Sequence, residues 1–190
     1  MLKPAEALAR MRSMVGLDFP YILGTGNFSG EPPRGPWDCA GAICEAFKVK
    51  RHRPGFARGP LPPAWASLAD VVDDINTNSM IKDAVVRGEL FTFVPFGDPL
   101  EGGDVLAYPT IRLVVDGERH EWIGHVQMID DPKGALSGGP YSDAWVLHSH
   151  GPNGRHPAVT RNKAYAMDVH NHSWSKLGHK AHALRAVTAP

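Results

Sequence analysis

The chain has 190 residues, which is enough for one domain with a hydrophobic core and too few to favour two domains. Hydrophobic residues make up 43% and charged residues 21%, and basic and acidic residues number 20 each, so the chain lacks the basic field that binds nucleic acid. The 20 glycines and 17 prolines predict long irregular connections, but they are fewer than in a typical disordered chain.

The N-terminal residues and the hydropathy of the chain bear on where the protein works. Residues 1–10 lack the apolar core of a signal peptide, and no run approaches the ~18 apolar residues of a membrane span. We therefore expect synthesis in the cytoplasm, no membrane partner, and a separate export route if the protein acts outside the cell. Zero net charge and single-domain size make a monomer the default expectation.

The first half of the chain predicts mainly helices. Pro4 suits the first turn of a short helix, and Asp38 is a good N-cap for a helix of small residues that begins at Cys39. Ser67 and Ser79 are candidate caps for two more short helices. The predicted spans are helices over 4–14, 39–47, 65–75 and 79–87, with a basic, proline-rich surface loop over 50–63.

From Phe91 onward the sequence predicts strands. The runs are rich in β-branched and aromatic residues, and the Asp116-Gly117 pair between two of them is typical of a hairpin turn. Residues 151–190 carry a weaker signal. The strands are expected over 91–94, 104–108, 111–115, 122–129 and 144–148, with an edge strand over 163–169. Helices followed by antiparallel strands indicate an α+β fold.

Cys39 stands at the first turn of a predicted helix. Unpaired backbone N–H groups and the helix dipole at this position stabilise a thiolate, which lowers the thiol pKa and makes the cysteine a usable nucleophile. The same N–H groups can bind the oxyanion of an acyl-transfer reaction. The alternative is that Cys39 is a small buried residue in a tight helix packing. Cys44 lies deeper in the same helix and on another face, so we expect it to be structural and not bridged to Cys39.

Five short motifs follow one another along the chain. They are Pro20-Tyr21-Ile22-Leu23-Gly24, Trp37-Asp38-Cys39-Ala40-Gly41, Gly102-Gly103-Asp104-Val105-Leu106, Gly124-His125-Val126 and Val146-Leu147-His148. This series resembles the NlpC-type cysteine peptidases of bacterial cell walls. The resemblance implies a papain-like α+β fold, in which the helix of the nucleophile packs on an antiparallel sheet. It also implies a single domain over 1–190, with a core at about 15–150, an insertion at about 48–100 and a C-terminal extension at 151–190.

The resemblance gives each matching residue a role in a thiol–imidazole site. Cys39 becomes the nucleophile and His125 the general base. His148 becomes the third residue, which orients the imidazole of His125. His150 is a second candidate for that role, and alignment with the family position favours His148. A second histidine that accepts a hydrogen bond from the first holds it in one tautomer, as a catalytic base requires.

Three further residues are expected around the substrate. Tyr21 lies beside the oxyanion in the resembling family, where its hydroxyl can donate a hydrogen bond. Asp38 is expected to face the substrate groove, where family members hold a free amine of the stem peptide. Trp37 is expected at the rim of the same groove. Ala40 stands where the family has a serine, which leaves the bond specificity open.

The resemblance implies a cysteine endopeptidase that hydrolyses amide bonds of peptidoglycan stem peptides through a thioester on Cys39, without a metal or an organic cofactor. A phage lysin, a phage tail component or an injected toxin with its immunity protein would fit a chain without a signal peptide. The alternatives are an amidase, acyltransferase or deamidase on the same scaffold, and a non-catalytic wall-binding or virion module. A metal site is a weaker alternative, because no second ligand motif accompanies the C-terminal histidines His170, His172, His179 and His182.

Overall fold

The computed structural model describes residues 1–65, 73–115, 117–122, 124–164 and 181–188. The helices in these ranges are α1 (Pro4–Met14), α2 (Cys39–Phe47), a single 3-10 turn (Pro63–Trp65) and α3 (Thr77–Val86). The strands are β1 (Phe91–Phe93), β2 (Val105–Tyr108), β3 (Ile111–Val115), β4 (Glu118–Trp122), β5 (His125–Asp131), β6 (Trp145–Ser149), β7 (Val159–Lys163) and β8 (His182–Ala186).

Six of these strands form one antiparallel sheet in the order β1–β8–β2–β5–β6–β7. The strands β3 and β4 pair with each other as a separate hairpin. Helix α1 packs on α2, and α2 packs across β5 and β6. The predicted α+β class is therefore confirmed, with the helix that begins at Cys39 lying on the sheet.

Helix α2 is buried along its whole length, from Cys39 to Phe47. Its small side chains let neighbouring segments approach the backbone, and a helix that is apolar on every side is expected to lie inside a protein. Glu45 is the charged exception and is fully buried. Arg10 of α1 pairs with its carboxylate, and the Ser29 hydroxyl donates to it at 2.8 Å. This paired charge joins α1, α2 and the loop around Ser29.

The helix predictions agree with the structure at the N-terminus and differ further along. Helix α1 has the predicted bounds, and α2 begins at the predicted residue. The helix expected over 79–87 starts earlier, because Asn76 is its cap and accepts the Ser79 N–H at 3.1 Å. The helix expected over 65–75 is wrong at its ends: Trp65 closes the 3-10 turn, and Asp74 forms a strand-like bridge with His52. Its middle, including Ser67, lies outside the described residues.

The strand predictions fail mainly where the chain turns or where the pattern is weak. The single strand expected over 122–129 is two strands, since β4 ends at Trp122 and β5 begins at His125. Strand β7 ends at Lys163, where an edge strand was expected to begin, and 165–169 lie outside the described residues. Strand β8 was not predicted, yet it lies between β1 and β2.

The loop expected over 50–63 is only partly a surface feature. Phe56 and Ala57 are buried in it, with exposed fractions of 3% and 0%. Arg51 is also largely shielded, with a side chain 16% exposed. None of the helices in the described part of the chain is long and apolar enough to cross a membrane.

Replacement of Gly41 by alanine tests how closely the loop before α2 approaches the helix. A Cβ at Gly41 would lie 2.2 Å from the carbonyl oxygen of Thr25 and 2.7 Å from the Cα of Gly26. Helix propensity alone predicts that Gly41→Ala stabilises the fold, whereas the steric contact predicts a loss of about 1–3 kcal/mol. Chemical denaturation gives the sign, and a gain in stability would contradict the packing described.

Candidate active site

Cys39 is the first residue of α2, directly after the cap residue Asp38. The Asp38 carboxylate accepts the Gly41 N–H at 2.7 Å, which fixes the first turn of the helix. The Cys39 thiol lies 6% exposed and receives backbone hydrogen bonds from Ala40 and from Val126 of β5. The sulfur atom is thus held against the peptide that follows His125.

The pKa of the Cys39 thiol is raised, whereas the sequence predicted that it would be lowered. Burial and, to a lesser extent, the negative charge of Asp38 raise this pKa to about 12. The two backbone hydrogen bonds and the Arg51 charge lower it, but their effect is smaller. The helix N-terminus therefore does not lower the thiol pKa in the free protein, because removal of the thiolate from water costs more than the N–H groups return.

Asp38 was expected to face a substrate groove, but it is only 2% exposed. Both of its carboxylate oxygens accept hydrogen bonds from groups of the protein itself. Arg51 binds it bidentately, at 2.8 Å to Oδ1 and 2.9 Å to Oδ2. The N–H of Gly24 donates to Oδ2 at 2.8 Å. Arg51 also donates to the Thr25 carbonyl at 2.6 Å. The cation that Asp38 binds in this structure is therefore a side chain of the same protein.

Tyr21 lies half-buried on the segment that precedes α2. It forms a parallel bridge with Trp37, and its N–H donates to the Arg155 carbonyl at 2.9 Å. Burial raises the pKa of its hydroxyl, and the nearby Cys39 and Asp38 raise it further. The hydroxyl is therefore protonated at neutral pH, and it is close enough to Cys39 for the two groups to interact electrostatically.

His125 and His148 meet on neighbouring strands of the sheet. His125 begins β5, and its Nε2 lies 3.1 Å from Nδ1 of His148 on β6. Burial lowers the pKa of His125 to about 3 and also lowers that of the fully buried His148. Both rings are therefore neutral at neutral pH. Among the described residues, no hydrogen bond joins the Cys39 thiol to the His125 ring.

His150 follows the last residue of β6 directly and has different partners from His148. The rings of His148 and His150 stack with centroids 4.0 Å apart and planes 1° from parallel. His150 Nε2 lies 3.0 Å from the Thr160 hydroxyl, and its Nδ1 lies 3.4 Å from a guanidinium nitrogen of Arg155. Of the two candidates for orienting His125, His148 is the one that contacts it.

Trp37 is not at a groove rim, which corrects the expectation for this residue. Its side chain is fully buried and packs edge-to-face on Phe19, with ring centroids 5.3 Å apart. Its carbonyl accepts the Ser149 hydroxyl at 3.0 Å. Trp37 thus anchors the strand-like segment before α2 to β6, and its buried side chain cannot contact a substrate.

The C-terminal histidines can be placed only in part. His170, His172 and His179 lie outside the described residues. His182 begins β8 and packs against the ring of Trp65, with centroids 5.0 Å apart. Within the described ranges, no group of three or more His, Cys, Asp or Glu side chains is arranged to hold a metal ion.

Two residues of the site were missed in the sequence. Arg51 lies in the segment expected to be a basic surface loop, and no motif marks it as the partner of Asp38. Asn162 lies on β7, and its side-chain nitrogen is 2.9 Å from His148 Nε2. No sequence signal singled out either side chain, since each acts through a contact that only the folded chain brings together.

Comparison of the chain with family models, with curated proteins and with solved structures finds no match. The resemblance to cell-wall peptidases therefore rests on the five motifs of the sequence.

Replacement of Arg51 by leucine tests the ion pair at the start of α2. The change leaves the Asp38 carboxylate buried without its counter-charge, and we expect a loss of about 3–5 kcal/mol in the free energy of unfolding. Adding Asp38→Asn to Arg51→Leu removes the uncompensated charge and should restore part of that loss. Urea denaturation of the two single variants and the double variant measures the coupling, and additive losses would contradict it.

Titration of the free protein tests the state of the Cys39 thiol. With a pKa of about 12, the thiol is protonated at neutral pH, and the thiolate fraction is only about 10⁻⁴ near pH 8. We expect the ultraviolet absorbance of thiolate to stay flat up to about pH 10 and then to rise. Cys39→Ala provides the baseline, and a Cys39-dependent rise below about pH 8 would contradict the assignment.

Proposed function

We propose that this chain is a papain-like cysteine hydrolase of the NlpC type that cleaves amide bonds in the stem peptides of bacterial peptidoglycan. The observation that carries the proposal is the position of the Cys39 thiol, which lies at the N-terminus of α2 against the backbone of β5, the strand that begins with His125. His148 supports His125 from the neighbouring strand. Nucleophile, base and orienting residue then come from one helix and two adjacent strands.

Acylation begins with a neutral thiol and a neutral imidazole. Cys39 Sγ attacks the carbonyl carbon of the scissile amide while its proton passes to Nδ1 of His125, because Nε2 faces His148. The carbonyl electrons move to oxygen, and the Tyr21 hydroxyl and the backbone N–H of Cys39 stabilise the resulting oxyanion. Collapse breaks the C–N bond, His125 returns the proton to the leaving amine, and the acyl group stays on sulfur as a thioester.

Deacylation repeats these steps with water as the nucleophile. His125 takes a proton from water, the hydroxyl attacks the thioester carbonyl, and the C–S bond breaks. The proton then returns to Cys39, so that the thiol is regenerated and a carboxylic acid is released. Apart from this water, no proton, electron or group has to come from outside the site and the substrate.

The neutral resting state makes base assistance necessary in this mechanism. A thiol with a pKa of about 12 is a poor nucleophile by itself, and an imidazole with a pKa of about 3 is a weak base. Opposite charges that develop together on sulfur and imidazole lower the thiol pKa and raise the imidazole pKa, because each favours the charged form of the other. We therefore propose that proton transfer accompanies attack on the substrate instead of preceding it.

A second reaction on the same scaffold is favoured by Arg51. The guanidinium occupies both oxygens of Asp38, so this carboxylate is not open to the free amine that an endopeptidase of this type would bind there. A substrate without a charged amine at that point fits better. The amide between the sugar lactyl group and the first stem residue has this property, which makes an N-acetylmuramoyl amidase the second candidate.

The proposed substrate lies outside the cytoplasmic membrane. We propose that the protein reaches the wall with a phage, through a holin pore or by a secretion system, as the sequence suggested. An immunity protein would be a partner in the last case.

Mass spectrometry of purified peptidoglycan fragments tests the proposal. We expect wild-type protein to release shortened stem peptides and Cys39→Ala to be slower by about 10³-fold or more, since loss of a nucleophile removes the covalent route. Cys44→Ala is the matched control, because Cys44 is fully buried in the same helix and has no role in the mechanism. An amidase would instead release intact stem peptides with a free N-terminal amine. If folded wild type leaves the fragments unchanged, the hydrolase proposal is wrong.

A further inference from the structure

A network of polar side chains continues from His148 through Asn162 and Thr160 of β7 to His150. His125 Nε2 contacts His148 Nδ1 at 3.1 Å, and His148 Nε2 contacts the terminal nitrogen of Asn162 at 2.9 Å. The same atom of Asn162 lies 2.9 Å from the Thr160 hydroxyl, which lies 3.0 Å from Nε2 of His150. The strand register brings these groups together, since His148 pairs directly with Thr160.

The direction of the hydrogen bonds in this network decides whether His125 can act as a base. A neutral imidazole carries one proton, so one ring nitrogen donates and the other accepts. If Asn162 presents its NH₂ group, His148 Nε2 must accept, and the proton of His148 lies on Nδ1. That proton is donated to His125 Nε2, which places the proton of His125 on Nδ1. His125 then has no free lone pair for the thiol proton.

The opposite direction leaves His125 ready to react. A half-turn of the Asn162 amide presents Oδ1, which accepts from His148 Nε2–H. His148 Nδ1 is then a bare acceptor for His125 Nε2–H, and Nδ1 of His125 keeps its lone pair. The two arrangements differ in the orientation of one amide, which donates in the first and accepts in the second, and consequently in the tautomers of both histidines.

The groups at the far end of the network, Arg155 and His150, favour the reactive direction. A guanidinium only donates, so the Arg155 nitrogen 3.4 Å from His150 Nδ1 places the proton of His150 on Nε2. That proton is donated to the Thr160 oxygen, which leaves the Thr160 hydroxyl proton available to Asn162. When the hydroxyl proton points there, the acceptor is Oδ1 of the amide.

We propose that Asn162 is a positioning residue that presents Oδ1 to His148 and thereby holds His125 in the tautomer with a free Nδ1. The assignment rests on the proposed function for its purpose, because a base is needed only if Cys39 is a nucleophile. Its geometry does not depend on which bond is cleaved. Asn162 touches neither the thiol nor the substrate and acts through His148.

The test is nitrogen NMR of imidazole-labelled wild type at neutral pH, which reports the protonated nitrogen of each histidine. We expect His125 and His148 both to carry the proton on Nε2. Asn162→Leu keeps the approximate shape without hydrogen bonds and should mix the two tautomers of His125. Asn162→Asp can only accept and should keep the wild-type tautomers.

Alkylation of Cys39 by iodoacetamide at neutral pH gives a second readout that needs no substrate. We expect Asn162→Leu to slow it by about 10- to 100-fold, since general-base assistance contributes about 10²–10⁴-fold. Asn162→Asp should restore a rate close to that of wild type. Cys44 is the internal control in the same samples, because its labelling reports loss of packing instead of loss of the base.

Each result bears on a different claim. A proton on Nδ1 of His125 in wild type overturns the assignment, as does Asn162→Leu with unchanged tautomers and an unchanged Cys39 rate. If Asn162→Leu accelerates the alkylation of Cys39 and Cys44 equally, this variant has a folding defect. The histidine tautomers of wild type and Asn162→Asp then decide whether the assignment of Asn162 is correct. If the tautomers behave as expected but peptidoglycan is not cleaved, the positioning role holds and the proposed hydrolase activity is wrong.

Discussion

The buried carboxylate of Asp38 is the constraint on which the candidate site depends. A carboxylate removed from water is stable only if all its lone pairs are paired, and here Gly24, Gly41 and Arg51 together supply the donors. These donors belong to three segments, so the loop before α2, the helix itself and the chain after it are fixed to one another. Because Cys39 follows Asp38 directly, the same constraint sets the position of the thiol.

Local patterns predicted the parts of the molecule whose partners are close in sequence. The helix that begins at Cys39 was predicted because an Asp N-cap and a run of small residues are both local signals. Strand β3 was predicted from its β-branched residues and a hairpin turn from the Asp116-Gly117 pair, whereas the partner strand β4 was not predicted. His125 and His148 were singled out by their motifs, and the structure places them in contact because β5 and β6 are adjacent.

The rest of the fold and site depends on contacts between distant segments, which carry no local signal. Arg51 is an ordinary basic residue in a proline-rich stretch until the fold brings it to Asp38. Trp37 was expected at a rim because it neighbours Asp38, but strand-like pairing with Tyr21 directs it into the core. The thiol pKa was misjudged for the same reason, since the helix dipole is local whereas burial is a property of the whole packing.

The position of β8 constrains the order in which the strands of the sheet can assemble. Residues 182–186 pair with 91–93 on one side and with 105–107 on the other, so they separate strands that are neighbours in the chain. During translation the ribosome releases the strands of the sheet from β1 to β7 long before the one that joins β1 to β2. Contacts of such long sequence separation form late and slowly. The complete sheet under α2 thus cannot form until β8 has been synthesised, long after the two strands that it joins.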